Sequence, residues 1–245
     1  MTGIGLVLSL FPGIGLLDRG FEDEGFCVVR GPDLLWGGDV KKFHPPAGRF
    51  DGVIGGPPCQ RYSKLAAIVR HVHGEEALAE CLIPEFNRVV ALAAPAWFLM
   101  ENVLGAPEPD VSGYQVRSIV LDNRQVGGVQ HRERRFCFGT PDGRQLLPRL
   151  AVFEPLEYAP TVLAKGTVKY ENRNGHGRLV RARGATSCRK SVAEAKRLQG
   201  LPEDFDLPGF TIKGTQRAIG NGVPYPLARA VALAVREAMH GEDRP

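Results

Sequence analysis

Short apolar runs, each cut off by a glycine, a proline or an abrupt charge, recur along this chain: "GLVLSLF" (5–11), "FCVV" (26–29), "FDGVIGG" (50–56), "AWFLMENV" (96–103) and "RRFCFG" (134–139). Runs of this length read as buried strands. Between them the spacing predicts helices over 12–25, 75–94 and 112–123. Strands that alternate with helices can bury both faces only as a mostly parallel sheet covered on each side, so the expected class is α/β, a Rossmann-like sheet with a small, irregular second lobe. That lobe is expected over 141–190, where prolines recur from Pro141 to Pro160 and periodicity fades. The main domain is then 1–140. A C-terminal segment over 191–245 follows, with a short helix at 191–200 opened by Ser191 and Glu194, and a longer one at 225–240.

With 43% apolar and 24% charged residues in 245, disordered and fibrous classes are excluded. The opening "MTGIGLVLSLFPGIGLL" has no Lys or Arg before Arg19, and Pro12 with four glycines breaks it, so it reads as strand and loop rather than a signal peptide. No other run is long enough to span a membrane. Five cysteines, an odd count with no C-x-x-C spacing, indicate neither a disulfide framework nor a zinc site; no metal is expected, and the compartment is a reducing cytoplasm. Charge is unevenly spread. Lys165 to Arg197 holds ten Lys and Arg against Glu171 and Glu194, a net +8, which leaves the rest of the chain at −4. Segregation of this kind suits either a polyanion contact or a solvated basic loop.

Four stretches carry chemistry. "FPGIG" (11–15) lies between a strand and a helix, where an α/β sheet binds nucleotide-like ligands, and Gly13 and Gly15 let backbone approach such a ligand. "GPPCQ" (56–60) ends a strand at the same sheet edge. Pro57 and Pro58 set the backbone immediately before Cys59, which is wasteful for a filler thiol and sensible for a directed nucleophile. "FLMENV" (98–103) brings Glu101 to another strand end, a partly buried acid placed to act on a ring nitrogen. "QHRERRF" (130–136) puts Gln130, Arg132 and Arg134 on one side of an extended segment, a row of donors for a phosphate or a base oxygen. A directed thiol, an acid, arginines and a glycine turn together fit electrophilic substitution at pyrimidine C5. Thiolate addition at C6 makes C5 nucleophilic, and hydrogen bonding at N3 stabilises the adduct.

At these residues the chain resembles the cytosine-C5 DNA methyltransferases. "LFPGIG", "GGDV", "GPPCQRYS", "MENV", "GGVQHRERRF", "KRLQGLPEDF" and "AIGNGVP" are similar to that family's motifs and stand in its order across nearly the whole chain. The resemblance implies a DNA (cytosine-5-)-methyltransferase that flips its target base and works in DNA methylation and restriction-modification. Cys59 is then the nucleophile, Glu101 the group on the N3/N4 edge, and Arg132 and Arg134 the arginines around the flipped base. Phe11, Gly13, Gly15, Asp39 and Pro58 would hold S-adenosylmethionine. Asp33 is the nearest match to the family's ribose-binding acid, and Asn221 would lock the cofactor and catalytic regions together. Gln60, Ser63, Arg70, Gln130, Arg181 and Arg183 are the expected DNA contacts, and Ser63 to His73 matches a mobile loop that also carries His71.

The implied partner is double-stranded DNA, with no membrane, and the implied enzyme a cytoplasmic monomer, associated with the nucleoid through DNA and of cellular or phage origin. Ser9 stands where the family has an acid, Pro12 replaces a small residue in the turn, and the variable recognition segment between "RRFCFG" and "KRLQG" is short. Two alternatives stay open. One is an RNA, tRNA-type cytosine-C5 enzyme, although the Cys-Phe-Thr signature of that branch is missing. The other is a catalytically silent DNA-binding protein of the same fold.

Overall fold

The computed structural model describes residues 5–58, 60–62, 80–151 and 191–241. Strands β1 (Leu6–Leu10), β2 (Cys27–Arg30), β3 (Gly52–Gly55), β4 (Trp97–Asn102), β5 (Gln115–Asp122) and β6 (Glu133–Thr140) form one sheet in the order β2-β1-β3-β4-β6-β5. The first four are parallel, while β6 runs antiparallel to both β4 and β5. Helices α1 (Leu16–Asp23), α2 (Ile83–Ala93), α3 (Val192–Leu198), α4 (Ile212–Asn221) and α5 (Tyr225–His240) are the α-helices among the described residues.

Alternation along the strands sorts the core into two layers. Val7, Ile54, Trp97, Leu99, Phe136 and Phe138 face α1 and α5, packing on Phe21, Leu227, Val231 and Val235. Their neighbours Leu8, Leu10, Val53, Phe98 and Met100 face α2, against Phe86, Val89 and Val90. Period-two alternation sends adjacent side chains to opposite faces, so nearly uninterrupted apolar strands are what a doubly covered sheet requires. α1 and α5 pack closely at Gly20, where a Cβ would lie 2.5 Å from the Ala228 carbonyl carbon. Leu146 joins the first layer and Arg144 donates to the Ala238 carbonyl at 2.7 Å, so the chain just beyond β6 runs along this body.

One expected helix is a strand. Residues 115–122 form β5, paired with β6 from Gln115↔Thr140 to Asp122↔Glu133. Val116, Ile119 and Val120 satisfy helical spacing about as well as strand alternation, and the β-branched side chains together with an available β6 edge decide for the sheet. α4, unforeseen as a helix, is capped by Thr211, whose hydroxyl accepts from the Gly214 N–H at 3.1 Å. The basic stretch up to Lys190 lies outside the described residues.

Because β1 lies between β2 and β3, the chain leaves it toward one side and returns on the other. Connections that diverge in this way open a crevice at the carboxyl ends of the strands, which is where open α/β sheets bind ligands.

Candidate active site

A cavity of about 600 Å³ occupies that crevice. Its wall includes the ends of three strands and parts of two helices: Phe11 and Gly13 after β1, Gly56 and Pro58 after β3, Glu101 on β4, Leu16 to Asp18 at the start of α1, and Asn221 at the end of α4. Asp33, after β2, also lines it.

The glycine turn is held tightly. Gly15 starts α1 with φ 78°, and its N–H donates to the Pro12 carbonyl at 2.8 Å. Gly13 has φ 54°, and a Cβ there would meet no protein atom within 4 Å. Phe11, with φ 56° and a proline next, occupies a left-handed conformation that a non-glycine residue enters at a cost of roughly 1–3 kcal/mol. Strain of this size persists where the surroundings enforce it, and here they do. The Gly13 N–H donates to Asp33 Oδ2 at 2.8 Å, and Trp36 Nε1 donates to the Gly13 carbonyl at 2.7 Å. Asp33 thus clasps the turn, its other oxygen accepting from the Leu35 N–H at 2.7 Å.

Behind the turn lies a group that sequence reasoning missed. The Ser9 hydroxyl donates to Asp18 Oδ1 at 2.5 Å, and Arg30 Nε donates to Asp18 Oδ2 at 3.0 Å. Asp18 is fully buried and lines the cavity. Burial pushes its carboxyl pKa up, against the pull of the Ser9 hydroxyl and the Arg30 guanidinium. On a helix with polar neighbours Asp18 reads as a surface residue; its only sequence signal is the hydroxyl of Ser9 in an otherwise apolar strand.

Glu101 faces Arg134, with Nε 2.8 Å from Oε1. Its second oxygen sits over Gly56, where a Cβ would lie 2.9 Å from Oε2, so the position cannot carry a side chain without displacing the acid. Asn102 Nδ2 donates to the Pro57 carbonyl at 3.1 Å and ties the end of β4 to the proline pair. Cys59 itself, with Ser63, Arg70, His71, Arg181 and Arg183, lies outside the described residues. Gln60 opens a short 3-10 turn, Gln60–Tyr62. Asp39 opens another, accepting from the Lys41 N–H at 3.0 Å, and is not part of the cavity wall.

Two of the expected donors have partners within the protein. Gln130, expected at DNA, is fully buried, and its carboxamide donates to Gln199 Oε1 at 2.9 Å. Arg132, expected around the base, donates to the carbonyls of Gly220 and Gly222 at 3.1 and 3.0 Å. Gln199 in turn donates to the Ile219 carbonyl at 2.7 Å. The last carbonyls of a helix have no partner within it and carry its negative end, and Arg132 with Gln199 satisfies them for α4. Burial pushes the Arg132 pKa down, Arg134 adds to that and Glu101 opposes it. These two side chains therefore position the segment that bears Asn221.

Comparison with known proteins fits this architecture. The family model for C-5 cytosine-specific DNA methylase matches residues 37–155 and 189–237, leaving unmatched residues 1–36, which hold the glycine turn, and 156–188, the greater part of the expected recognition segment. The type II methyltransferase M.NgoPII of Neisseria gonorrhoeae is 22% identical over 330 aligned residues, covering 95% of this chain and 96% of that protein. M.BsuFI of Bacillus subtilis, another type II methyltransferase, is 25% identical, with coverage of 94% and 72%. Among solved structures, a candidate DNA modification methyltransferase encoded within an E. coli prophage superposes with a TM-score of 0.61 at 20% identity, over 96% of this chain and 99% of that one. The Dnmt2 methyltransferase of S. pombe gives 0.57 at 15% identity, over 94% and 98%. These structural likenesses are likenesses of fold.

Proposed function

The chain belongs to the C-5 cytosine-specific DNA methylase family, and we propose that it methylates C5 of a cytosine in double-stranded DNA through a covalent adduct between Cys59 and C6 of the base. The observation that carries this reading is Glu101, which is paired with Arg134 and stands on the cavity wall over Gly56, with Pro58 of the proline pair that precedes Cys59 on the same wall.

The cavity suits S-adenosylmethionine. Its volume falls in the range of small-molecule sites. Asp18, Asp33 and Glu101 on its wall complement a cationic sulfonium, and open space beside Gly13 leaves backbone exposed to a ligand. Phe11, Gly13, Asp33, Pro58 and Asn221 would hold it, with Gly15 shaping the turn and Asp39 the neighbouring loop. When bound, S-adenosylmethionine supplies an electrophilic methyl group.

C5 of cytosine is too weak a nucleophile to react unaided. The Cys59 thiolate adds to C6, and the electron pair released toward C5 makes that carbon reactive. Glu101, held by Arg134, takes the N3/N4 edge and stabilises the adduct. After methyl transfer, loss of the C5 proton returns an electron pair to the ring and expels the thiolate. A base in a duplex cannot present C6 to a thiol, so the target must leave the stack. Ser63, Arg70, Arg181 and Arg183 are proposed phosphate contacts, with the basic stretch from Lys165 to Arg197 supplying the non-specific grip.

The test is bisulfite sequencing of DNA from a methylation-free host expressing the chain. Protected cytosines in a fixed short context are expected. Unprotected DNA, alongside label transferred to RNA by the purified protein, would overturn the choice of substrate.

A further inference from the structure

Arg132 holds the end of α4 and Arg134 holds Glu101, but the run they belong to carries a further arginine, Arg135. Alternation along β6 sends Arg135 to the opposite face of the sheet from Arg134. There it continues the layer that contains Met100 and Cys137, both fully buried. A cation in that layer, its side chain only 15% exposed, costs desolvation that an apolar residue would avoid. In return it grips one turn.

Arg135 is in register with Asn102, the last residue of β4. The chain turns directly afterwards, the Ala106 N–H donating to the Val103 carbonyl at 3.1 Å. Arg135 donates through Nη2 to the Ala106 carbonyl, and its Nη1 lies 3.7 Å from Glu108 Oε1. The turn held in this way meets the chain on both sides of Cys59. Before the thiol, Asn102 Nδ2 donates to the Pro57 carbonyl at 3.1 Å, while Asn102 Oδ1 accepts from the Val103 N–H at 2.9 Å and fixes the carboxamide. After the thiol, Gly105 lies against Tyr62, since a Cβ on Gly105 would stand 3.1 Å from the Tyr62 carbonyl oxygen. The Leu82 N–H, at the start of α2, donates to the Pro58 carbonyl at 3.3 Å and holds the proline pair at a second point.

We propose that Arg135 is a positioning residue for the nucleophile: by anchoring the turn from Asn102 to Ala106 it fixes the chain before and after Cys59, and so sets the direction from which the thiolate reaches C6. It acts through the turn and not on the base. This inference rests on the reading of Cys59 as the nucleophile.

The rate at which DNA containing 5-fluorocytosine is trapped, at saturating DNA and S-adenosylmethionine, tests it. Arg135→Leu suits the apolar layer and removes the anchor, and Arg135→Lys keeps the charge on a less directional donor. Gly105→Ala presses the same turn off Tyr62 while leaving Arg135 in place, and Gly105 is not in the left-handed region, so the methyl adds only that contact. Trapping should slow by about tenfold to a hundredfold in Arg135→Leu and Gly105→Ala, the scale for reacting atoms displaced by about 1 Å, with Arg135→Lys in between. The Kd values for duplex DNA and S-adenosylhomocysteine should stay within about twofold. An unchanged rate per folded molecule, with or without a lower Tm, would reduce Arg135 to a structural residue and overturn the inference. A rate loss matched by an equal loss of DNA affinity would also overturn it, and in both cases Cys59 remains the nucleophile. If Arg135→Leu does not fold, Arg135→Lys and Gly105→Ala decide by the same criteria. A wild-type chain that traps nothing would overturn the reading of Cys59 and the inference with it.

Discussion

Glu101 and Arg134 meet across the antiparallel β4–β6 pair, Arg134 Nε lying 2.8 Å from Glu101 Oε1. Glu101 is in register with Phe136, so Arg134, two residues away on β6, sits on the same face one step along the diagonal. The ladder therefore delivers acid and guanidinium together at the sheet edge, each less than a fifth exposed.

Replacing Glu101 with Gln keeps the shape and removes the charge that Arg134 holds. Turnover should fall by about a hundredfold or more, the usual scale for a positioned acid or base. Single-turnover methylation of duplex DNA measures it. A loss under about tenfold, or about 1.4 kcal/mol of barrier, would remove Glu101 from the chemistry.

Cys59 should be trapped by DNA containing 5-fluorocytosine, because methylated C5 then carries a fluorine that cannot leave as a proton does. The complex should survive denaturing electrophoresis with wild type and disappear with Cys59→Ser. Equal trapping by both proteins would place the nucleophile elsewhere.

Gly13→Ala isolates the role of the turn, since the added methyl meets no protein atom within 4 Å. The left-handed φ of 54° should cost roughly 1–2 kcal/mol of stability, seen as a lower Tm. S-adenosylhomocysteine binding should weaken further than that strain explains, because the methyl enters the ligand's space. Unchanged affinity in the folded variant would take Gly13 out of the site.

Asp122 makes stability depend on pH at the acid end. Burial would raise its carboxyl, but the Arg124 side chain and N–H, with His131, outweigh it and bring the pKa to about 2 from 3.8. A carboxyl with a depressed folded pKa stabilises the fold fully above its unfolded value, and that contribution is lost as pH falls from about 4 toward 2. The shift corresponds to about 2 kcal/mol. Urea unfolding between pH 5 and 2 should show this slope in wild type and a flatter one in Asp122→Asn. Parallel curves would contradict it.

Much of the architecture was legible because buried parallel strands need uninterrupted apolar runs, and this chain ends each of them with residues that only a turn or a site would use. The glycines after Phe11, the proline pair before Cys59 and the acid closing "FLME" all stand at strand ends, so one sheet edge gathers them whatever the details of packing. The strand at 115–122 was not legible, because its apolar positions fit both periods until β6 offers an edge to pair with.

Local sequence suggested that Gln130, Arg132 and Arg134 share a side, as alternation in an extended segment would have it, although β6 itself begins only at Glu133. What that side faces was decided only by the tertiary structure. The open carbonyls at the end of α4 draw Arg132 and, through Gln199, Gln130 inward, while Glu101 on the neighbouring strand takes Arg134. Asp18 follows the same rule. Its place on α1 could be read from the chain, but its burial depends on Ser9 and Arg30 arriving from two different strands with the hydrogen bonds that a buried carboxylate requires.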